Sequence, residues 1–180
     1  TTSDAGGVME PLIRDGRARK LSFTGSTAVG RKLLEQCADK VLRTSMELGG
    51  NAPFLVFDDA DLDAAVEGAM QAKMRNIGEA CTAANRFYVQ RGIADEFARR
   101  LTERMSALPI GRGTEDGVVV GPLIDQAAVE KVDTLVQDAA RRGAEVLTGG
   151  SAIDGPGHFY QPTVLTDVPT DALLAREEIF

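Results

Sequence analysis

Leu21-Ser22-Phe23-Thr24-Gly25-Ser26-Thr27-Ala28-Val29-Gly30 decides the fold class. Leu21 to Thr24 reads as a short strand that runs into a Gly25-Ser26 turn. Thr27 to Asp39 then reads as a helix, with Val29, Leu33, Leu34 and Cys37 at helical spacing. Val41 to Glu47 follows as a second strand, broken by Leu48-Gly49-Gly50-Asn51. A strand, a helix and a strand in that order predict a parallel pair with a helical crossover.

The same alternation continues downstream. Pro53 to Phe57 is a compact apolar strand, and Asp58-Asp59-Ala60-Asp61 supplies capping oxygens for a helix over Leu62–Met74. Arg86 to Gln90 reads as a strand and Ile93 to Leu108 as an amphipathic helix, with Phe97, Leu101 and Met105 on one stripe. Ile110 to Pro122 is glycine-rich and irregular. Asp125 caps a helix over 126–142 that Gly143 stops. Glu145 to Leu147 and Tyr160 to Leu165 are extended, and Ala172 to Glu178 is a short helical turn. The class is α/β with a mostly parallel sheet. The glycine pair Gly49-Gly50 marks the best internal boundary.

Composition narrows the function classes. The 180 residues carry a net charge of -7, with 43% hydrophobic and 26% charged residues. That balance suits a globular chain and argues against broad binding to nucleic acid or anionic membranes. No apolar run approaches the roughly 20 residues of a membrane span. Two cysteines, Cys37 and Cys81, are too few for a disulfide framework and fit a reducing, cytoplasmic setting. Arg14, Arg17, Arg19 and Lys20 read as a solvated face, since Asp15 interrupts them.

Three segments carry candidate chemistry. The Gly25-Ser26 turn exposes N–H groups at a helix N-terminus, which suits a phosphate, although Gly-Ser is also a common cap. Cys81 lies in Arg75-Asn76-Ile77-Gly78-Glu79-Ala80-Cys81-Thr82-Ala83, where small neighbours leave a thiol approachable. It is a nucleophile if a positive field or helix N-terminus favours the thiolate, and otherwise a buried structural thiol. Residues after Cys81 are expected to start a helical turn. Glu47 ends a strand beside the glycine pair, where it serves as a base or simply faces water. Cys37 reads as core. His158, the only histidine, lies in a Gly/Pro loop and makes a Cys–His dyad a poor reading.

Taken together, these segments resemble the aldehyde dehydrogenase superfamily along nearly the whole chain. Phe23-Thr24-Gly25-Ser26 with Gly30 resembles the family's cofactor-phosphate turn. Glu47-Leu48-Gly49-Gly50 resembles its general-base signature, and Asn76-x-Gly78-x-x-Cys81 its nucleophile signature. Val120-Gly121-Pro122-Leu123-Ile124 and Glu177-Glu178-Ile179-Phe180 are also family-like. Arg75, six residues before Cys81, matches the arginine of succinate-semialdehyde dehydrogenases, where a guanidinium can clamp a distal carboxylate; its alternative is an ion pair with Glu79.

The resemblance implies a three-layer αβα catalytic domain over 51–180 and the C-terminal part of a Rossmann-like dinucleotide-binding domain over 1–50. It implies oxidation of an aldehyde to an acid with NADP or NAD, NADP being favoured, through a cysteine thiohemiacetal and thioester. Succinate semialdehyde is the expected substrate; another aldehyde class, a cofactor-free cysteine esterase or thioesterase, and a non-catalytic scaffold are the alternatives. Cys81 is the implied nucleophile and Glu47 the base, while Asn76 positions the substrate or the Cys81 loop. Thr24, Gly25, Ser26, Gly30 and Leu48 are implied on the cofactor, with Glu178 at its nicotinamide-side ribose and Phe180 lining the nicotinamide pocket. No metal, nucleic acid or membrane is implied, and the parent is expected to be a dimer or tetramer. The family's chains are much longer, so this one reads as a central fragment, inactive alone, that lacks an oxyanion-hole amide. Glu79 stands where the family usually has Gln; a carboxylate there is expected to point away from the thiol or to pair with an arginine. Ala83 replaces a second cysteine found in several relatives, which removes a local disulfide switch.

Overall fold

The computed structural model describes residues 3–180. The chain divides into two compact units, the first ending at Gly50 and the second covering Asn51–Phe180.

In the first unit, β1 (Lys20–Thr24) and β2 (Arg43–Glu47) pair in parallel, joined by helix α2 (Thr27–Ala38). Ser26 caps α2, its Oγ accepting from the Val29 N–H at 3.3 Å. β2 starts two residues later than its apolar pattern predicts. Val41 is 87% exposed at φ 50, and it and Leu42 donate back to Ala38 and Cys37, so the chain is still turning there.

Helix α1 (Ala5–Arg14) has no clear sequence signal, because Gly6, Gly7 and Pro11 all lower helix propensity. It forms because Asp4 caps it, accepting from the Gly7 N–H at 2.9 Å, and because it buries Ile13. Ile13 packs with Leu21 and Cys37, so Cys37 is a core residue as expected. Arg14 pairs with Glu10 and Arg17 with Asp15 on the solvated side.

In the second unit, β3 (Ala52–Val56) and β4 (Ala84–Val89) are also parallel, joined by helix α3 (Leu62–Met74). Asp61 caps α3 through the N–H groups of Asp63 and Ala64. Helix α4 (Ala94–Ser106) packs with α3 over one face of this pair. There Phe54 and Phe87 pack against Val66, Met70, Phe97 and Leu101, with ring centroids of Phe54 and Phe87 5.5 Å apart. Leu55 and Tyr88, paired across the strands, stay exposed, as the two-residue period of a strand requires.

Helix α5 (Gln126–Arg141) builds a second core from Leu135 and Ala139 with Ala172 and Leu174. The Asp138 carboxylate ties it down, accepting from the Leu173 N–H at 2.9 Å and from Arg142. β5 (Glu145–Thr148) and β6 (Val164–Thr166) are antiparallel, unlike the other two pairs. The loop between them contains no helix, and without a crossover the chain returns in the opposite direction. The fold is mixed α/β with two parallel crossover pairs, and no helix among the described residues is long and apolar enough to cross a membrane.

Candidate active site

The first unit gathers Thr24, Gly25, Ser26, Gly30, Glu47 and Leu48. Thr24 and Glu47 are register partners at the carboxyl ends of β1 and β2, where ligands of parallel sheets bind. The Gly25 N–H continues the ladder by donating to the Glu47 carbonyl at 3.0 Å. Glu47, Gly25 and Ser26 are exposed. Gly30 is buried in the second turn of α2, and a Cβ there would lie 2.5 Å from Leu48 Cδ2. Its missing side chain lets α2 approach the residue that follows Glu47.

A dinucleotide's pyrophosphate fits this turn. The first N–H groups of α2 have no acceptor within the helix, Ser26 satisfies only that of Val29, and the first turn carries no acidic residue to repel an anion. Gly25, Ser26 and Thr27 are the residues that would hold it.

The second unit gathers Arg75, Asn76, Cys81, Glu178 and Phe180. Helix α3 ends in a tight 3-10 turn over Arg75–Gly78, inside which three successive residues take left-handed conformations: Asn76 (φ 52), Ile77 (φ 52) and Gly78 (φ 90). A β-branched residue rarely adopts that region, so the segment is held against its own preference. What holds it is visible. The Asn76 side-chain amide donates to the Glu79 carbonyl at 2.9 Å, and the Glu79 N–H returns to the Asn76 carbonyl at 2.9 Å. Of the two roles expected for Asn76, these bonds are those of a residue that shapes the loop.

Cys81 follows in a turn closed by the Ala83 N–H on the Ala80 carbonyl at 2.9 Å, and its residue is exposed. The helical turn expected after it does not form. Ala83 is buried just before β4 and Ala84 at its start, and strand pairing wins over helix nucleation there. A helix dipole from that side is therefore unavailable to the thiol. Arg75 is exposed and makes no ion pair among the described residues, so the Glu79 pairing expected as its alternative is not formed. Glu79 has no arginine partner among the described residues either; it lines a cavity of about 220 Å³ with Lys73, Asn85, Phe87, Ile179 and Phe180.

Two polar residues of that cavity escaped the sequence reading. Lys73 lies on the inward face of α3, and its ammonium donates to Asn85 Oδ1 at 2.6 Å. Burial pulls its pKa down to about 8. The available signal was spacing: Lys73 falls four residues after buried Ala69 and three after buried Met70, which sets it on the core-facing stripe. Asn85 in turn donates to the Ile179 carbonyl at 3.5 Å. Glu178 is partly buried, whereas Phe180 is 47% exposed at the cavity rim.

The profile of the Aldehyde dehydrogenase family matches residues 2–180. A succinate-semialdehyde dehydrogenase of Paenarthrobacter nicotinovorans is 58% identical over all of this chain and 40% of its own length. A glutarate-semialdehyde dehydrogenase of Pseudomonas putida is 53% identical over 99% of this chain and 37% of its own. The crystal structure of an E. coli NADP-dependent enzyme superposes with a TM-score of 0.95 at 54% identity, over 99% of this chain and 37% of that one. The chain thus spans 37% to 40% of the length of these relatives.

Proposed function

Because the chain belongs to the aldehyde dehydrogenase family, we propose that it carries the nucleophile, base and part of the cofactor site of an enzyme oxidising semialdehydes to dicarboxylic acids. The observation that carries the reading is the loop from Arg75 to Cys81. It presents an exposed thiol on a turn that Asn76 holds in shape, with a guanidinium six residues upstream that has no ion pair among the described residues.

Cys81 Sγ, as thiolate, attacks the aldehyde carbon and forms a thiohemiacetal, with the Cys81 N–H donating to the developing oxyanion. A nicotinamide cofactor, when bound, supplies the acceptor for the hydride that this carbon gives up. Cys81 then holds the acyl group as a thioester. Glu47 takes a proton from the water that attacks it, the C–S bond breaks, and the acid is released with Cys81 restored as thiolate. The Arg75 guanidinium receives the distal carboxylate through two parallel hydrogen bonds. On this reading the residues up to Gly50 belong to a dinucleotide-binding domain and those from Asn51 to a catalytic domain.

Succinate semialdehyde is the first substrate to test and NADP the first cofactor, since similar proteins act on that aldehyde or are NADP-dependent. The relative that acts on glutarate semialdehyde makes the one-carbon-longer aldehyde the natural competitor. The reading is tested by a panel of succinate semialdehyde, glutarate semialdehyde and butanal against NADP and NAD, with the enzyme that carries this chain. Reduced-nicotinamide absorbance should grow fastest with a carboxylate-bearing aldehyde. Equal or faster turnover of butanal would remove Arg75 as selector, and hydrolysis of an activated ester with no cofactor-dependent oxidation of any aldehyde would favour a cysteine hydrolase.

A further inference from the structure

Two asparagines at the starts of neighbouring strands hold the segment that ends the chain. Asn51 directly precedes β3 and Asn85 is the second residue of β4, and the strands pair at Ala52 and Ala84. Asn51 Nδ2 donates to the carbonyls of Leu174 and Glu177, at 3.0 and 3.3 Å, across more than a hundred residues of sequence. Asn85 Nδ2 donates to the carbonyl of Ile179. Glu178 is therefore flanked on both sides by residues whose carbonyls are held by side-chain amides.

Asn85 is itself oriented through its side chain, whereas Asn51 is held through its main chain and its Oδ1 is buried with no hydrogen-bond partner among the described residues. Lys73 donates to Asn85 Oδ1, which leaves the Nδ2 edge facing the Ile179 carbonyl. Arg86 Nε donates to the Asn51 carbonyl at 2.8 Å. These anchors also bracket the Cys81 loop. Lys73 lies eight residues before Cys81 and Asn85 four after it, and a Cβ at Gly78 would lie 2.9 Å from the Lys73 ammonium. Both ends of the nucleophile loop and the segment carrying Glu178 and Phe180 thus meet at Asn85, with Asn51 holding the same segment from the start of the neighbouring strand.

We propose that Asn51 and Asn85, with Lys73 orienting Asn85, are positioning residues that clamp the Glu177–Phe180 segment to the strand ends from which the Cys81 loop springs. The proposal rests on the functional reading above, in which Glu178 and Phe180 meet the cofactor and Cys81 holds the aldehyde carbon. A clamp of this kind fixes how far apart those two partners sit. Hydride transfer is sensitive to that separation, and a displacement of about 1 Å can cost on the order of a hundredfold. On that reading, attack by Cys81 uses no group of the 177–180 segment and depends far less on its position than hydride transfer does.

The test compares Asn51→Ala, Asn85→Ala and Lys73→Met with wild type in the enzyme that carries this chain. Cys81 reactivity is read without cofactor, as iodoacetamide alkylation and as hydrolysis of an activated ester. Amide hydrogen exchange over 173–180 reads the clamp directly, and a 1-deutero aldehyde reads hydride transfer. The clamp predicts cofactor-free Cys81 reactions within about twofold of wild type and exchange at 177–180 faster by about tenfold or more. Aldehyde oxidation should fall roughly ten- to a hundredfold, with a larger isotope effect.

Lys73→Arg, which keeps a donor for Asn85, should recover most of the oxidation lost in Lys73→Met. If the asparagine variants fail to fold, this Lys73 pair carries the test with both asparagines in place. Oxidation and cofactor-free reactivity falling in parallel would reduce these residues to structural ties and overturn the proposal, as would an unchanged isotope effect with unchanged exchange. A wild-type enzyme that oxidises no aldehyde would instead overturn the functional reading.

Discussion

The Gly25 N–H donates to the Glu47 carbonyl at 3.0 Å, so the turn before α2 and the end of β2 are one hydrogen-bonded unit. The bond uses the main chain of Glu47 and leaves its exposed carboxylate unconstrained by the strand. Glu47→Gln should therefore leave stability within about 0.5 kcal/mol of wild type. It should slow steady-state turnover by roughly a hundredfold or more while sparing the first hydride transfer. A pre-steady-state burst of reduced nicotinamide that persists in Glu47→Gln is the expected result. Loss of the burst together with turnover would assign Glu47 a structural role.

Gly78 combines a φ of 90 with a Cβ position 2.9 Å from the Lys73 ammonium and 3.3 Å from the Lys73 carbonyl. Gly78→Ala must strain the backbone and displace the lysine together. A loss of about 1–3 kcal/mol is expected by urea denaturation, with slower alkylation of Cys81 as its loop shifts. Gly113 has open space around its Cβ position and no positive φ, so Gly113→Ala serves as the neutral control.

Arg75 has no ion pair among the described residues, so its removal should cost the fold little. Arg75→Ala is expected to stay within about 0.5 kcal/mol of wild-type stability. Its kcat/KM for succinate semialdehyde should fall roughly ten- to a hundredfold, the worth of a hydrogen bond to a charged group. Butanal, which lacks the carboxylate, should be oxidised as by wild type. An equal loss on both aldehydes would show that Arg75 shapes the loop.

Burial holds Lys73 at about 8 against an ordinary value of 10.5. Between those two values the unfolded chain keeps a proton that the folded chain has released, so stability rises with pH there. Below about pH 8 the full cost of burying the charge is present in the fold. Wild type should therefore gain stability relative to Lys73→Met as pH rises from 8 to 10.5, measured as the difference in urea midpoints. A difference that stays flat over that range would place the ammonium in water.

Much of this architecture is legible in the sequence because local and tertiary signals agree. Leu62–Met74 is helical as read, since Asp61 caps it and its apolar stripe meets the sheet. α1 is not legible, because Gly6, Gly7 and Pro11 argue against a helix that the Asp4 cap and the burial of Ile13 sustain. The turn after Cys81 misleads for the same reason: small residues permit a helix locally, but Ala83 is buried and Ala84 is drawn into the strand pair. Cys81, Glu47 and Arg75 stand out by residue type and motif. Asn51, Lys73 and Asn85 do not, because their hydrogen bonds reach partners as far as 126 residues away.

The central claim is that Cys81 carries the substrate's carbon as a thioester. Rapid acid quench of Glu47→Gln with succinate semialdehyde and NADP, followed by peptide mass spectrometry, tests it directly. The account predicts a succinyl group on the peptide containing Cys81, formed only with the oxidised cofactor and absent in Cys81→Ser. Reduced cofactor accumulating while Cys81 stays unmodified, or turnover retained in Cys81→Ser, would contradict it.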